Sequence, residues 1–184
     1  MHIITGTYKG AQLKAPSGIR PSEDRVRKAL FDILGDMSGL SFLELFAGSG
    51  SVGLEALSQG AKNVVFIEKD RAGIHAINGN IAVLKRGTGV EGIEIYQDDA
   101  MDAVAKLSKR SRIFDVIFAD PPYYKGLSEK ILQSLDEYDI LNRLSGFLII
   151  QHFKKDPLPA KQGNLVLFKQ AKYGDTLLSF YNHP

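Results

Sequence analysis

The sequence predicts an α/β fold built on a mostly parallel sheet, with a small β-hairpin at its N-terminus. Two observations predict it. From residue 41 onward, short apolar runs alternate with helical patterns, the signature of strand–helix–strand units. The first of these strands also runs into a glycine turn that opens a helix. At 184 residues the chain suits one domain with a substantial core, so 1–184 is expected to be a single unit and 1–18 its hairpin extension.

In chain order, His2–Thr5 and Ala11–Lys14 flank a turn containing Gly6 and Gly10 and read as the hairpin. Pro16-Ser17-Gly18 reads as a loop. A helix is predicted over Glu23–Leu34, with Ser22 as N-cap and Glu23 and Asp24 at its positive end. Val26, Ala29, Leu30, Ile33 and Leu34 form its apolar stripe, which leaves Arg25, Arg27 and Lys28 on the other face. Phe42–Phe46, Val64–Ile67, Ile93–Tyr96, Val116–Ala119 and Phe147–Ile150 read as strands buried on both faces. Helices are expected near 51–59, 71–85, 100–109 and 128–137, the second behind a cap at Asp70. Leu165–Gln170 and Thr176–Tyr181 flank Lys172-Tyr173-Gly174-Asp175 and predict an antiparallel hairpin.

Composition excludes several classes of function. Hydrophobic residues make up 44% and charged residues 24%, which is ordinary for a globular chain. No cysteine is present, so disulfides, thiolate metal sites and cysteine nucleophiles are excluded. Four scattered histidines give no metal-ligand pattern, and no metal is expected. No apolar run approaches the roughly 20 residues that span a bilayer, so no membrane partner is expected and a cytoplasmic location is. The net charge is +2, but it is unevenly distributed. Residues 1–28 carry six basic and two acidic side chains, and residues 151–184 carry five and two. Residues 29–150 carry twelve and seventeen. Basic ends suit a polyanion and an acidic middle suits a cationic ligand, although solvated terminal lysines give the same count.

The glycine turn resolves part of this. In Leu43-Glu44-Leu45-Phe46-Ala47-Gly48-Ser49-Gly50-Ser51-Val52-Gly53, the glycines Gly48, Gly50 and Gly53 fit G-x-G-x-x-G between a strand and a helix. Such a turn brings backbone close to a nucleotide-like cofactor, and Glu68 at the end of the next strand suits two ribose hydroxyls. Glu44 favours S-adenosylmethionine over NAD: a carboxylate here repels a pyrophosphate and attracts a sulfonium or ammonium. Asp98 and Asp99 add acid after the third strand. The competing reading makes Glu44, Asp98 and Asp99 helix caps.

Asp120-Pro121-Pro122-Tyr123 follows Asp115-Val116-Ile117-Phe118-Ala119 at a strand's C-terminal end, where open α/β sheets bind ligands. The prolines stiffen the loop. Asp120 and the Pro121 carbonyl can accept from a planar NH2 group, and Tyr123 offers a stacking face. This arrangement orients an exocyclic amine toward a methyl donor and stabilises the charge that develops on it.

These residues resemble the exocyclic-nitrogen methyltransferases of nucleic acids, and more closely the RsmD family. That resemblance rests on Arg20-Pro21-Ser22-Glu23-Asp24-Arg25-Val26-Arg27-Lys28-Ala29-Leu30-Phe31, the Leu43–Gly50 turn, Asp120-Pro121-Pro122-Tyr123 and Tyr173-Gly174-Asp175-Thr176. Ile3-Ile4-Thr5-Gly6 and Lys9-Gly10 extend it to the N-terminus. It implies a Rossmann-like class I S-adenosylmethionine-dependent methyltransferase with a seven-stranded sheet and an antiparallel last strand. It also implies N2 methylation of a guanine in bacterial 16S rRNA, within a small-subunit ribosomal particle. Adenine N6 and a protein glutamine amide are the alternative amines, and a non-catalytic binding module is the alternative class. The implied cofactor residues are Arg25, Glu44, Phe46, Ala47, Gly48, Gly50, Glu68, Lys69, Asp99, Ala100 and Asp120. The implied catalytic residues are Asp120, Pro121, Pro122 and Tyr123. Tyr8, Lys9, Lys14, Arg20 and Arg27 are the implied RNA contacts. His152 and Tyr173 are further candidates for the site. One departure is Gln151, where many relatives carry an acid.

Overall fold

The computed structural model describes residues 1–15, 24–84, 91–123 and 126–184. Arg20, Ser22, Glu23 and the Pro16-Ser17-Gly18 loop therefore lie outside the described residues. The chain forms two compact units, Met1–Asp98 and Asp99–Pro184.

In the first unit the elements are α1 (Asp24–Leu34), β1 (Ser41–Leu45), α2 (Ser51–Ser58), β2 (Asn63–Glu68), α3 (Arg71–Leu84) and β3 (Ile93–Gln97). The strands run parallel in the order β3-β2-β1. β1 and β2 are apolar throughout apart from Ser41, Glu44, Asn63 and Glu68, and they are buried as expected. β3 departs from expectation. It is half-buried, because it lies beyond β2 and pairs with β2 alone among the described residues. An apolar run does not say whether its strand sits centrally or at an edge.

The buried face of α1 is also rotated from the predicted stripe. Val26, Arg27, Leu30 and Phe31 are buried, whereas Ala29, Ile33 and Leu34 are half-buried. Two contacts set the rotation: Phe31 stacks on Phe42 at 6.4 Å, and Arg27 reaches Glu55. The N-terminal hairpin has one bridge, His2 to Gln12, in place of two full strands. It is fixed to α2 instead. Ile4 N and Thr5 N donate to the Glu55 carboxylate at 2.8 Å each. Thr7 N donates to Ser58 O at 2.8 Å and Tyr8 N to Ser58 Oγ at 2.9 Å. A Cβ on Gly6 would lie 1.9 Å from Ser58 O, so this docking requires glycine there.

The second unit comprises α4 (Ala100–Lys109), β4 (Val116–Ala119), α5 (Leu127–Tyr138), β5 (Phe147–Phe153), β6 (Lys161–Gln162), β7 (Leu165–Tyr173) and β8 (Thr176–Asn182). β4 pairs parallel with β5, whose far side pairs antiparallel with β8. β7 then pairs antiparallel with β8, and the two-residue β6 with β7. The expected C-terminal hairpin is present and longer than predicted. Eight strands form among the described residues in place of the expected seven, since β6 is too short to leave a pattern. No helix among the described residues is long and apolar enough to cross a membrane.

Candidate functional site

The glycine turn follows β1 in a tightly wound backbone. Phe46, Gly48 and Gly50 have φ of 59°, 56° and 73°. A left-handed phenylalanine is uncommon and is held here by its surroundings, a feature frequent at ligand sites. Ala47 N donates to Ile67 O at 3.0 Å, which ties the turn to β2.

Two buried carboxylates organise the turn. Glu44 Oε2 accepts from Gly53 N at 2.8 Å, inside the first turn of α2. The N-cap of that helix, Gly50, has no side chain to offer, so Glu44 supplies the missing acceptor from the neighbouring strand. A Cβ on Gly53 would lie 2.5 Å from the Phe66 ring and 2.8 Å from Glu44 Oε2, so the third glycine of the motif serves this close approach. Glu68 accepts from Gly48 N at 2.6 Å and from Asp70 N at 2.7 Å. Each of its oxygens holds a backbone N–H. Each oxygen keeps a second acceptor position.

Asp98 N donates to Glu68 O at 3.1 Å. Lys69 is exposed, and its carbonyl accepts from Gln97. In the second unit Asp99 is the N-cap of α4 and accepts from Met101 N at 3.1 Å, with Ala100 buried behind it. Capping is thus a real role of Glu44 and Asp99. It leaves their negative charge in place.

Asp120 is half-buried after β4, Pro121 is buried and Pro122 is exposed. The Tyr123 ring lies 5.8 Å from the Phe153 ring, and its hydroxyl is 3.0 Å from Thr176 Oγ1. The end of β5 and the paired start of β8 therefore hold Tyr123, one at its ring and the other at its hydroxyl. That contact explains why a Tyr-Gly-Asp-Thr turn accompanies the Asp-Pro-Pro-Tyr loop.

Several expected site residues are placed otherwise. Arg27, expected to face solvent and to contact RNA, is 1% exposed, with Nη2 donating to His2 O at 2.6 Å and to Asp24 Oδ1 at 2.9 Å. Its Nε lies 3.5 Å from Glu55, a carboxylate that is itself buried. Arg27 joins hairpin, α1 and α2 and is not an RNA contact. His152 is fully buried: Nδ1 donates to Asp156 O at 2.9 Å, and Nε2 accepts from Ser179 Oγ at 2.8 Å. Burial pushes its pKa below the ordinary value, outweighing the carbonyls of Phe153 and Asp156, so it is a neutral core histidine. Arg25, Lys9 and Lys14 are exposed, and Tyr8, Tyr173 and the Phe46 side chain are half-buried. Gln151 is buried on β5.

Sequence reasoning passed over Asn80. Its Oδ1 accepts from Lys14 N at 2.8 Å, and its Nδ2 donates to Lys14 O at 2.9 Å and Ser49 O at 3.0 Å. It joins the hairpin to the glycine turn. The available signal was a polar residue on the stripe Ile77, Ile81, Leu84. Glu55, a carboxylate inside the otherwise apolar α2, gave a similar signal.

The fold is the Rossmann-like α/β fold of class I methyltransferases, with mostly parallel strands and antiparallel C-terminal strands. A hypothetical protein of Thermus thermophilus superposes with a TM-score of 0.85 at 30% identity, over 99% of each chain. The SAM-dependent methyltransferase from Agrobacterium tumefaciens matches with a TM-score of 0.64 over 91% of this chain and 63% of that one. At 16% identity it speaks to the fold alone. The family described as Conserved hypothetical protein 95 matches residues 1–182. Ribosomal RNA small subunit methyltransferase D of Escherichia coli (strain K12) is 31% identical over 184 residues, covering 98% of this chain and 89% of that protein. The chain belongs to this family, as the resemblance of its motifs implied.

Proposed function

We propose that this chain, acting as one methyltransferase domain in the cytoplasm, methylates the exocyclic N2 of a guanine in 16S rRNA, within a small-subunit particle. The clamped Tyr123 directly after Asp120-Pro121-Pro122 carries the reading. A ring fixed by Phe153 and Thr176 is a preorganised face for a flat base. The similarity to the Escherichia coli ribosomal RNA small subunit methyltransferase D supports an rRNA substrate.

The cofactor proposed is S-adenosylmethionine, which supplies a methyl group on a sulfonium. The residues present fit it. Phe46, Ala47, Gly48 and Gly50 form a close-approach backbone, and a Cβ on Gly50 would press to 3.1 Å against Phe66 and Ile77. The carboxylates Glu44, Glu68 and Asp99 keep the strand ends negative, which suits a cation. Arg25, Lys69, Ala100 and Asp120 complete the proposed cofactor set. Tyr8, Lys9, Lys14 and Arg20 remain proposed RNA contacts; Arg20 lies outside the described residues.

Bound there, the cofactor would supply the methyl group and leave as the neutral thioether, and N2 would gain positive charge on accepting it. Asp120 and the Pro121 carbonyl accept hydrogen bonds from the amine, which aims its lone pair. Asp120 then stabilises the cationic nitrogen and takes its proton. A target base is extruded to reach this loop.

The test is labelled methyl transfer to unmethylated 16S RNA and to small-subunit particles, followed by mass spectrometry of the modified nucleoside. N2-methylguanosine is the expected product. Adenine N6 or glutamine methylation, or cofactor binding without transfer, overturns the reading. Replacing Asp120 with Ala is expected to lower transfer by about 100-fold or more while cofactor affinity changes less.

A further inference from the structure

The strand ends that clamp Tyr123 also carry a concentration of positive charge. Phe153 pairs with Thr176 across β5 and β8, and Tyr173 pairs with Thr176 at the mouth of the β7–β8 hairpin. Immediately beside them, Lys154 N donates to Asp175 O at 2.8 Å, and Lys154 Nζ lies 2.7 Å from Asp175 Oδ1. Lys155 follows on the same turn, and Lys172 lies on the other arm of the hairpin; all three lysines are exposed. Lys154 pairs with Asp175, and the charges of Lys155 and Lys172 also reach this carboxylate. Asp175 is held below the usual carboxylate range, first by its hydrogen bond from Lys154, then by the charges of Lys154, Lys155 and Lys172. Asp156 is the other acid of the segment, and across 151–184 the basic side chains outnumber the acidic by five to two.

Protection of a bare strand edge explains only part of this. Beyond Val166 the outer edge of β7 has no strand partner among the described residues, and Lys169 and Lys172 would keep such an edge from pairing with another chain. Lys154 and Lys155 are not on that edge. They follow β5, which is flanked by β4 and β8. With Lys172 on the neighbouring hairpin arm, their charges repel one another, and Asp175 offsets only part of this. A polyanion would relieve it.

We propose that Lys154, Lys155 and Lys172 form a phosphate-contacting part of the RNA surface, gripping the strand whose base is presented to Tyr123. Because Phe153 directly precedes Lys154, and Thr176, which pairs with Tyr173 beside Lys172, contacts the Tyr123 hydroxyl, one strand end fixes both backbone and base. The proposal rests on the reading of the chain as an RNA methyltransferase.

The test measures binding of unmethylated 16S RNA transcribed in vitro, by filter retention across a series of KCl concentrations. Each lost phosphate contact lowers the slope of log K against log salt by about 0.7–0.9. The Lys155→Ala/Lys172→Ala double variant is therefore expected to lose about 1.4–1.8 from that slope, and about 10- to 30-fold in affinity near 0.15 M salt. Asp175→Asn releases Lys154 and is expected to move slope and affinity the opposite way. Melting temperature and cofactor affinity stay at wild-type values in both. A double-variant slope within about 0.3 of wild type overturns the proposal. If the wild type methylates the RNA while the slopes agree, only this inference falls. If the wild type neither binds nor methylates RNA, the functional reading falls with it.

Discussion

Replacing Arg27 with Met removes a buried guanidinium while keeping most of its apolar stem. Two carboxylates lose a partner, and they are not equivalent. Asp24 is 43% exposed, so water replaces that pair at small cost. Glu55 is 1% exposed and cannot be rehydrated in place. Breaking a buried pair by deleting one member costs about 3–5 kcal/mol. The lower end applies here, because Glu55 keeps Ile4 N, Thr5 N and Thr5 Oγ1 as donors at 2.8, 2.8 and 2.9 Å. A loss of about 3 kcal/mol lowers the melting temperature of a chain this size by about 6–12 °C. Urea unfolding at constant m-value measures the loss directly. The same variant should leave the salt dependence of RNA binding unchanged, since Arg27 does not reach the surface. A stability loss below about 1 kcal/mol, or a salt slope reduced by about 0.7–0.9, would refute the burial of Arg27 and restore it to the RNA surface.

Three other outcomes are expected. Glu44→Gln keeps an oxygen for Gly53 N–H but removes the charge. Stability should hold within about 1 kcal/mol while cofactor affinity by calorimetry falls about tenfold or more; unchanged affinity would make capping the whole role of Glu44. Thr176→Val removes the partner of the Tyr123 hydroxyl and should raise KM for RNA about 3- to 10-fold, with cofactor affinity unchanged and Thr176→Ser restoring it. His152 is neutral when folded, with its pKa below the ordinary 6.5. The unfolded chain takes up that proton first as pH falls, so the stability contributed by His152 is complete above 6.5 and is lost as pH drops below it. Thermal melts at falling pH should show wild type losing more stability than His152→Asn, and equal losses would contradict the assignment.

Much of the fold was legible because each apolar run was long enough to fix one element. Val116–Ala119 and Ala100–Lys109 form as predicted, and other strand ends move by only a few residues. What stayed illegible depends on contacts distant in sequence. The spacing of Arg27 places it off an apolar stripe, yet Glu55, 28 positions on, draws it inward. Ile93–Tyr96 reads as a buried strand because composition carries no information on sheet order. The motif of the candidate site was visible, but the partners that shape it were not. Thr176 and Phe153 act through a few specific contacts each and leave no periodic trace, whereas Asn80 shows only as a polar interruption of an apolar stripe.

The glycine turn shows how such a contact changes the meaning of a motif. A G-x-G-x-x-G turn at a helix N-terminus ordinarily offers unpaired N–H groups and a positive dipole to a phosphate. Here Gly53 N–H is held by Glu44 and Gly48 N–H by Glu68, both buried carboxylates. Two of the donors that a pyrophosphate would use are engaged, each by a carboxylate that would repel it. Helix capping and preference for a cation are therefore one arrangement. The carboxylate that satisfies the helix also makes the turn hostile to a dinucleotide and suited to a sulfonium. Under the proposed cofactor role, capping by Glu44 would not compete with binding, because the same carboxylate would favour the phosphate-free ligand.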